Sequence, residues 1–159
     1  MTDIRQEHRD RFYKLISNIE NLSDRDVSVL VASYVEDYLR NLIVSIAKQH
    51  PELVEDLLFR RLNTLRGKIS VFENSDISSI AGLSSDLVND LHLIRRIRND
   101  FAHKAEDLSF SDNDISQRCE ALQTPSQGSD PDDPRERFTT SAVRILVELV
   151  IVLKEKQAG

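Results

Sequence analysis

The segment from Leu91 to His103 holds the residue types best suited to chemistry in this chain. Its sequence, LHLIRRIRNDFAH, contains three arginines, an asparagine, an aspartate and two histidines. Arginine stays charged at physiological pH and presents a planar fork of donors that matches carboxylate and phosphate oxygens. Histidine titrates near neutral pH and can therefore accept or release a proton. A segment with this content can pack against other elements, bind an anion or cut a bond.

Apolar periodicity places this segment at the end of one helix, from about Asp86 to His103. Its apolar stripe consists of Leu87, Leu91, Ile94 and Phe101. At about 100° per residue, Arg98 falls near the middle of that stripe. This is an unusual place for a guanidinium, because an unpaired buried charge is costly. Three arrangements would satisfy it: an ion pair with Glu36 or Asp37, a place in a cleft, or contact with a second subunit.

The other polar residues of the segment form a second row, because Arg95, Asn99 and His103 are four residues apart. In a regular helix, Arg98 and His103 point roughly 140° away from each other. The two can share a site within one chain only if the helix ends or distorts near Asp100. Otherwise the site needs two chains, or His103 simply interacts with the carbonyl end of its helix. The candidate binding residues are Arg95, Arg96, Arg98, Asn99 and His103.

The rest of the chain predicts an all-α fold, a single domain over residues 1–159 with about six to seven helices. The helices are predicted over residues 3–19, 24–49, 51–59, 62–72, 86–103, 113–122 and from Pro134 onward. The apolar face of the second helix is wide enough for a central position in the bundle. The last helix is either central or a dimer face. Residues 74–82 are predicted to be a polar turn, and residues 123–133 a flexible loop.

Composition limits the classes of function. With 40% hydrophobic and 30% charged residues the chain is expected to be globular, and its net charge of −6 argues against steering onto nucleic acid by the whole molecule. A local basic patch stays open, with Arg60, Arg61, Arg66 and Lys68 joining Arg95 and Arg96. The single cysteine, Cys119, excludes an internal disulfide, and no metal or cofactor motif is found. Without an apolar leader or a membrane-length apolar run, we expect a cytoplasmic protein with no membrane contact.

The central segment resembles the main motif of the mannitol-operon repressor family. The resemblance rests on residues 93–103, followed by Leu108-Ser109-Phe110 and Asp114-Ile115, with looser matches at residues 32–39 and 57–59. It covers about Ser28 to Leu122. It implies a helical bundle that acts in negative control of transcription through a protein partner, because the family lacks an evident DNA-reading element. It does not imply mannitol as the effector of this chain.

A shorter resemblance is to HEPN domains, helical bundles that are often dimers and in many cases metal-independent ribonucleases. Arg98, Asn99 and His103 match their Arg-Asn-x-x-x-His signature. The resemblance implies that Arg98 stabilises the phosphate charge, that His103 handles protons at the 2′-hydroxyl or the leaving oxygen, and that Asn99 orients them.

Three interpretations follow from these residues. The first is a non-enzymatic regulatory protein that acts through a protein partner, with direct DNA binding doubtful. The second is a HEPN-type endoribonuclease or RNA-binding protein that uses Arg98 and His103, with its site at the interface of a homodimer. In the third the motif is architectural: Arg98 and Asn99 bridge helices, and His103 caps one. We favour the first, which leaves enzymatic activity uncertain and needs no cofactor.

Overall fold

The computed structural model describes residues 4–18, 20–58, 62–104, 107–123 and 132–158. Within these ranges the secondary structure is helical, which confirms the predicted all-α class. The helices are α1 (Ile4–Ser17), α2 (Asp24–Gln49), α3 (Val54–Leu58), α4 (Leu65–Val71), α5 (Ser75–Ala81), α6 (Ser85–His103), α7 (Asn113–Glu120) and α8 (Pro134–Ala158), with a 3-10 turn at Pro51–Leu53. None of these helices is both long and apolar enough to cross a lipid bilayer.

Helix α2 is the centre of the bundle. Its start is fixed by Ser23, whose hydroxyl accepts a hydrogen bond from the Asp26 amide at 3.1 Å. Pro51 follows its end, as the sequence predicts, because the residue before a proline is disfavoured in helical geometry. Most of its apolar side chains are buried, from Val27 to Ile46, and the helix packs mainly against α8 and α6. The candidate segment of α6 therefore packs against this helix.

Helix α8 is a second central element rather than an exposed dimer face. Its buried side chains contact α1, α2, α6 and α7 of the same chain. Asp133 accepts from the Arg135 amide at 3.0 Å and Pro134 occupies the first turn, so the predicted helix start is confirmed. The predicted flexible loop falls mainly on residues 124–131, which lie outside the described residues.

Residues 75–81 form a short helix, whereas the sequence predicted a turn. Asn74 caps this helix by accepting hydrogen bonds from the amides of Asp76 and Ile77 at 3.0 and 3.2 Å. Gly82 ends it at a positive φ of 79°, a conformation that glycine adopts without steric cost. Ile77 is buried and anchors α5 on the core. Two good caps and the buried side chains of Ile77 and Ala81 therefore outweigh the low helix propensity of the serines.

Helix α6 is held at both ends by buried polar and aromatic contacts. Near its start, the carboxylate of the fully buried Asp90 accepts from the backbone N–H of Gln123, at 3.0 Å to Oδ1 and 3.2 Å to Oδ2. Near its end, Phe101 packs edge-on against Phe110 at 5.0 Å, and Phe110 packs on Phe138 of α8 at 5.1 Å. These contacts fix the axis and the rotation of the helix that carries the candidate residues.

Helix α1 docks on α8 through a buried histidine. The Nε2 atom of His8 lies 2.9 Å from the Nζ atom of Lys154, and burial followed by the charge of Lys154 lowers the pKa of His8 below its ordinary value of 6.5. The neutral ring accepts the lysine proton, whereas a protonated ring would repel it. Nearby Glu7 opposes this shift and Arg11 adds to it.

Acid should therefore loosen the docking of α1. Because the folded pKa of His8 lies below its unfolded value, the contribution of neutral His8 is complete above pH 6.5 and declines as the pH falls through the folded pKa. We expect His8→Gln to remove this pH-dependent contribution to stability, because the glutamine amide keeps an acceptor for Lys154 but does not titrate. Urea unfolding of both proteins between pH 5 and 8 measures it. Parallel pH profiles for His8→Gln and wild type would contradict the assignment.

Candidate anion-binding cleft

Helix α6 stays regular through its last turn. The amide of Lys104 donates to the carbonyl of Asp100 at 3.0 Å, so the helix does not break near Asp100. The Asp100 carboxylate is itself engaged by Arg118 of α7 and by Lys104, the latter at 3.3 Å. In such a helix the side chains of Arg98 and His103 point about 140° apart. His103 is exposed at the helix end, away from Arg98.

The expected ion pair of Arg98 with Glu36 or Asp37 is absent from the described residues. Glu36 instead binds Lys68 of α4, with 2.8 Å between its Oε1 atom and Nζ. Asp37 pairs with Arg40 on the exposed side of α2, with 3.3 Å between its Oδ1 atom and the Nη1 atom of Arg40. Lys68 is only 4% exposed, and a buried ammonium needs a carboxylate partner more than a half-exposed guanidinium does. Glu36 is thus committed to the lysine.

Arg98 lines a cleft, the second of the three arrangements considered. The buried face of α6 extends to Asp90 and Ile97, which the sequence interpretation did not place in the core, so Arg98 lies at its margin. Its Nη1 atom donates to Oδ1 of Asn99 at 3.1 Å. The cleft encloses about 780 Å³ between α2, α4 and α6. Its lining residues are Ala32, Ser33, Glu36, Asn63, Thr64, Leu65, Arg66, Gly67, Ser70, Arg95, Arg98 and Asn99.

The arginines of this cleft have no acidic counterpart among its lining residues. Arg66, Arg95 and Arg98 all line it, and its one carboxylate, Glu36, is neutralised by Lys68. We call Arg66, Arg95 and Arg98 the arginine cluster. The charge of Arg66, although that residue is exposed, lowers the pKa of Arg95, so this part of the cluster carries an electrostatic cost that a bound anion would relieve.

Arg95 carries most of this cost. Burial lowers its pKa, and the charges of Arg66 and Arg96 lower it further, while Glu73 opposes the shift only weakly. Glu73 is itself engaged by His92, whose Nε2 atom lies 2.6 Å away. The Nε atom of Arg95 is buried and has no hydrogen-bond acceptor among the described residues. An unsatisfied buried donor costs roughly 1–3 kcal/mol.

Arg95 also forms the boundary with a second cleft. This neighbouring space, of about 650 Å³, is lined by Arg66, Arg95 and the exposed Arg96, together with Glu73 and His92. It contains its own acids, among them Asp90, which is bound to the Gln123 amide. The second cleft therefore contains acids beside its arginines, and Arg66 and Arg95 line both spaces.

The candidate residues are thus divided differently from the sequence prediction. Arg95, Arg98 and Asn99 come together in one cleft, Arg96 faces the adjacent one, and His103 is separate. Of the expected basic patch, Arg66 joins the cleft and Lys68 is buried, while Arg60 and Arg61 lie outside the described residues. Arg66 was named only as a patch residue, because sequence spacing cannot indicate that α4 lies beside α6.

The cleft can hold an anion, but it does not combine the groups of a single-chain acid–base site. Guanidinium forks and the amides of Asn63 and Asn99 supply donors, whereas its lining includes no histidine. No cluster of three or more potential metal ligands occurs in the described ranges. Comparisons with protein-family models, with curated proteins and with solved structures found no match.

Proposed function

We propose that the chain is a non-enzymatic regulatory protein of the cytoplasm that exerts negative control over transcription by binding a protein partner. We further propose that the partner engages the arginine cluster through acidic residues. The observation that carries this proposal is the meeting of Arg66, Arg95 and Arg98 in one open cleft whose single carboxylate is already neutralised. Carboxylates are natural ligands for such forks, because both oxygens can accept in parallel.

The charge distribution supports a protein partner over direct DNA binding. The chain as a whole carries a net charge of −6, which repels a long polyanion. A compact acidic segment has to enter only the local positive field of the cleft. Among the described helices, α6 buries its apolar face against α2 and is not presented as a reading helix for a DNA groove.

Removing one arginine of the cluster should weaken the partner complex. A charge-assisted hydrogen bond contributes about 1.5–3 kcal/mol, so Arg98→Ala is expected to weaken binding by roughly tenfold to a hundredfold. Affinity capture from native cytoplasm, followed by titration of the captured protein at two salt concentrations, measures this. Arg40→Ala is the matched control, because Arg40 is exposed, paired on the surface and remote from the cleft lining.

Two results would contradict the proposal. One is equal capture of the partner by wild type, Arg98→Ala and Arg66→Ala. The other is tight, salt-sensitive and sequence-specific DNA binding by the purified protein alone, which would replace partner-mediated control by direct control.

The second candidate is a HEPN-type endoribonuclease or RNA-binding protein with a site completed by a second copy of the chain. The observation that favours it is that Arg98 and Asn99 are hydrogen-bonded to each other at the cleft, while His103 is exposed at the end of the same helix. In one chain the helical geometry separates arginine and histidine, so proton transfer and phosphate stabilisation have to come from different protomers.

This candidate predicts RNA cleavage that persists in the presence of a chelator. Arg98→Ala and His103→Ala should each reduce the rate by about a hundredfold or more, the usual scale for loss of acid–base or electrostatic catalysis. An equimolar mixture of the two variants should recover part of the activity, because one interface then combines an intact arginine with an intact histidine. Intact RNA with wild type, or unchanged cleavage by both variants, would eliminate it.

A further inference from the structure

The arginine cluster provides more positive charge than a single carboxylate can balance. Arg66, Arg95 and Arg98 carry three guanidiniums, and the neutralised Glu36 does not reduce their charge. Among the described residues the buried Nε atom of Arg95 has no acceptor, so this guanidinium is incompletely satisfied by the protein. A compact ligand with at least two charges and several acceptor oxygens would balance it best.

The size of the cleft suits a small ligand. Its volume of about 780 Å³ lies in the range of small-molecule sites. Among the described residues, its lining contains no aromatic side chain on which a base could stack, and stacking is the usual platform for single-stranded nucleic acid. The surrounding molecule is acidic overall, which disfavours a long polyanion that would extend beyond the cleft.

We propose that the arginine cluster binds the phosphate monoester group of a small molecule. Such a group carries close to two negative charges at neutral pH and presents three acceptor oxygens, which matches a cluster of planar forks. Asn63 and Asn99, with amide donors at the same cleft, supply neutral hydrogen bonds to the phosphate or to the hydroxyl groups of its carrier.

The regulatory effect of this binding rests on the proposed function. A phosphate monoester and an acidic segment of the partner would occupy the same guanidiniums, so binding of one excludes the other. The small molecule would then release the partner and relieve negative control. By linkage, the partner would lower the affinity for the small molecule by the same factor.

Calorimetric titration of the full chain tests the site without any partner. The probes are inorganic phosphate, glycerol 3-phosphate and an RNA oligonucleotide without terminal phosphates. We expect the first two to bind at one site, and the affinity for glycerol 3-phosphate to fall as the pH is lowered through about 6, where the second proton of a phosphate monoester returns. Arg95→Gln and Arg98→Gln should each weaken binding about tenfold or more, while Arg40→Gln should leave it unchanged.

Absence of binding by both phosphates would overturn the inference, as would equal binding by Arg40→Gln and the two cleft variants. Tighter binding of the RNA than of glycerol 3-phosphate would overturn it in favour of a nucleic-acid site. Displacement of a captured partner by glycerol 3-phosphate is the expected regulatory result. Phosphate binding that leaves the partner in place would remove the regulatory link, and phosphate binding with no partner captured would count against the proposed function alone.

Discussion

The ion pair between Lys68 and Glu36 determines the electrostatics of this protein's main cleft. A buried lysine requires a carboxylate, and Glu36 meets that requirement from the neighbouring helix α2. The same pair helps to join α4 to α2, so that α4 carries Arg66 to the mouth of the space beside α6. Since no second acid among the described residues lines that space, the arginine cluster is left with net positive charge. One structural contact thus both supports the bundle and makes the cleft receptive to anions.

The rotation of α6 determines which polar residues can act together. Asp90, Ile97 and Phe101 are buried along one side of the helix, and this places Arg95, Arg98 and Asn99 along the margin that faces α4. A regular last turn then directs His103 elsewhere. The geometry favours binding over catalysis within one chain, and it leaves catalysis only to an arrangement in which a second copy contributes.

Much of the fold could be predicted from local sequence signals. Ser23 at the start of α2, the Asp133-Pro134 start of α8 and the break at Pro51 are short-range features, and the structure has all three. The helix at residues 75–81 was missed because its stability depends on Ile77 reaching the core, which is a tertiary contact. The site was predicted in part. The polar segment of α6 was identified, and a cleft was one of the three arrangements considered for Arg98. The ion pair of Arg98 with Glu36 or Asp37, another of the three, is not found because Glu36 binds Lys68, and nothing local to Lys68 indicates that α4 packs against α2.

The most direct test of the central claim is the free energy of unfolding of Arg95→Met. If the arginine cluster serves binding, removing a repulsive and incompletely hydrogen-bonded guanidinium while keeping an apolar stem should leave stability unchanged or raise it, by up to about 1–3 kcal/mol. Lys68→Met calibrates the measurement, since breaking a buried pair is expected to cost up to about 3–5 kcal/mol. A loss of that size for Arg95→Met would contradict a binding role for the cluster, because it would show that this arginine stabilises the fold.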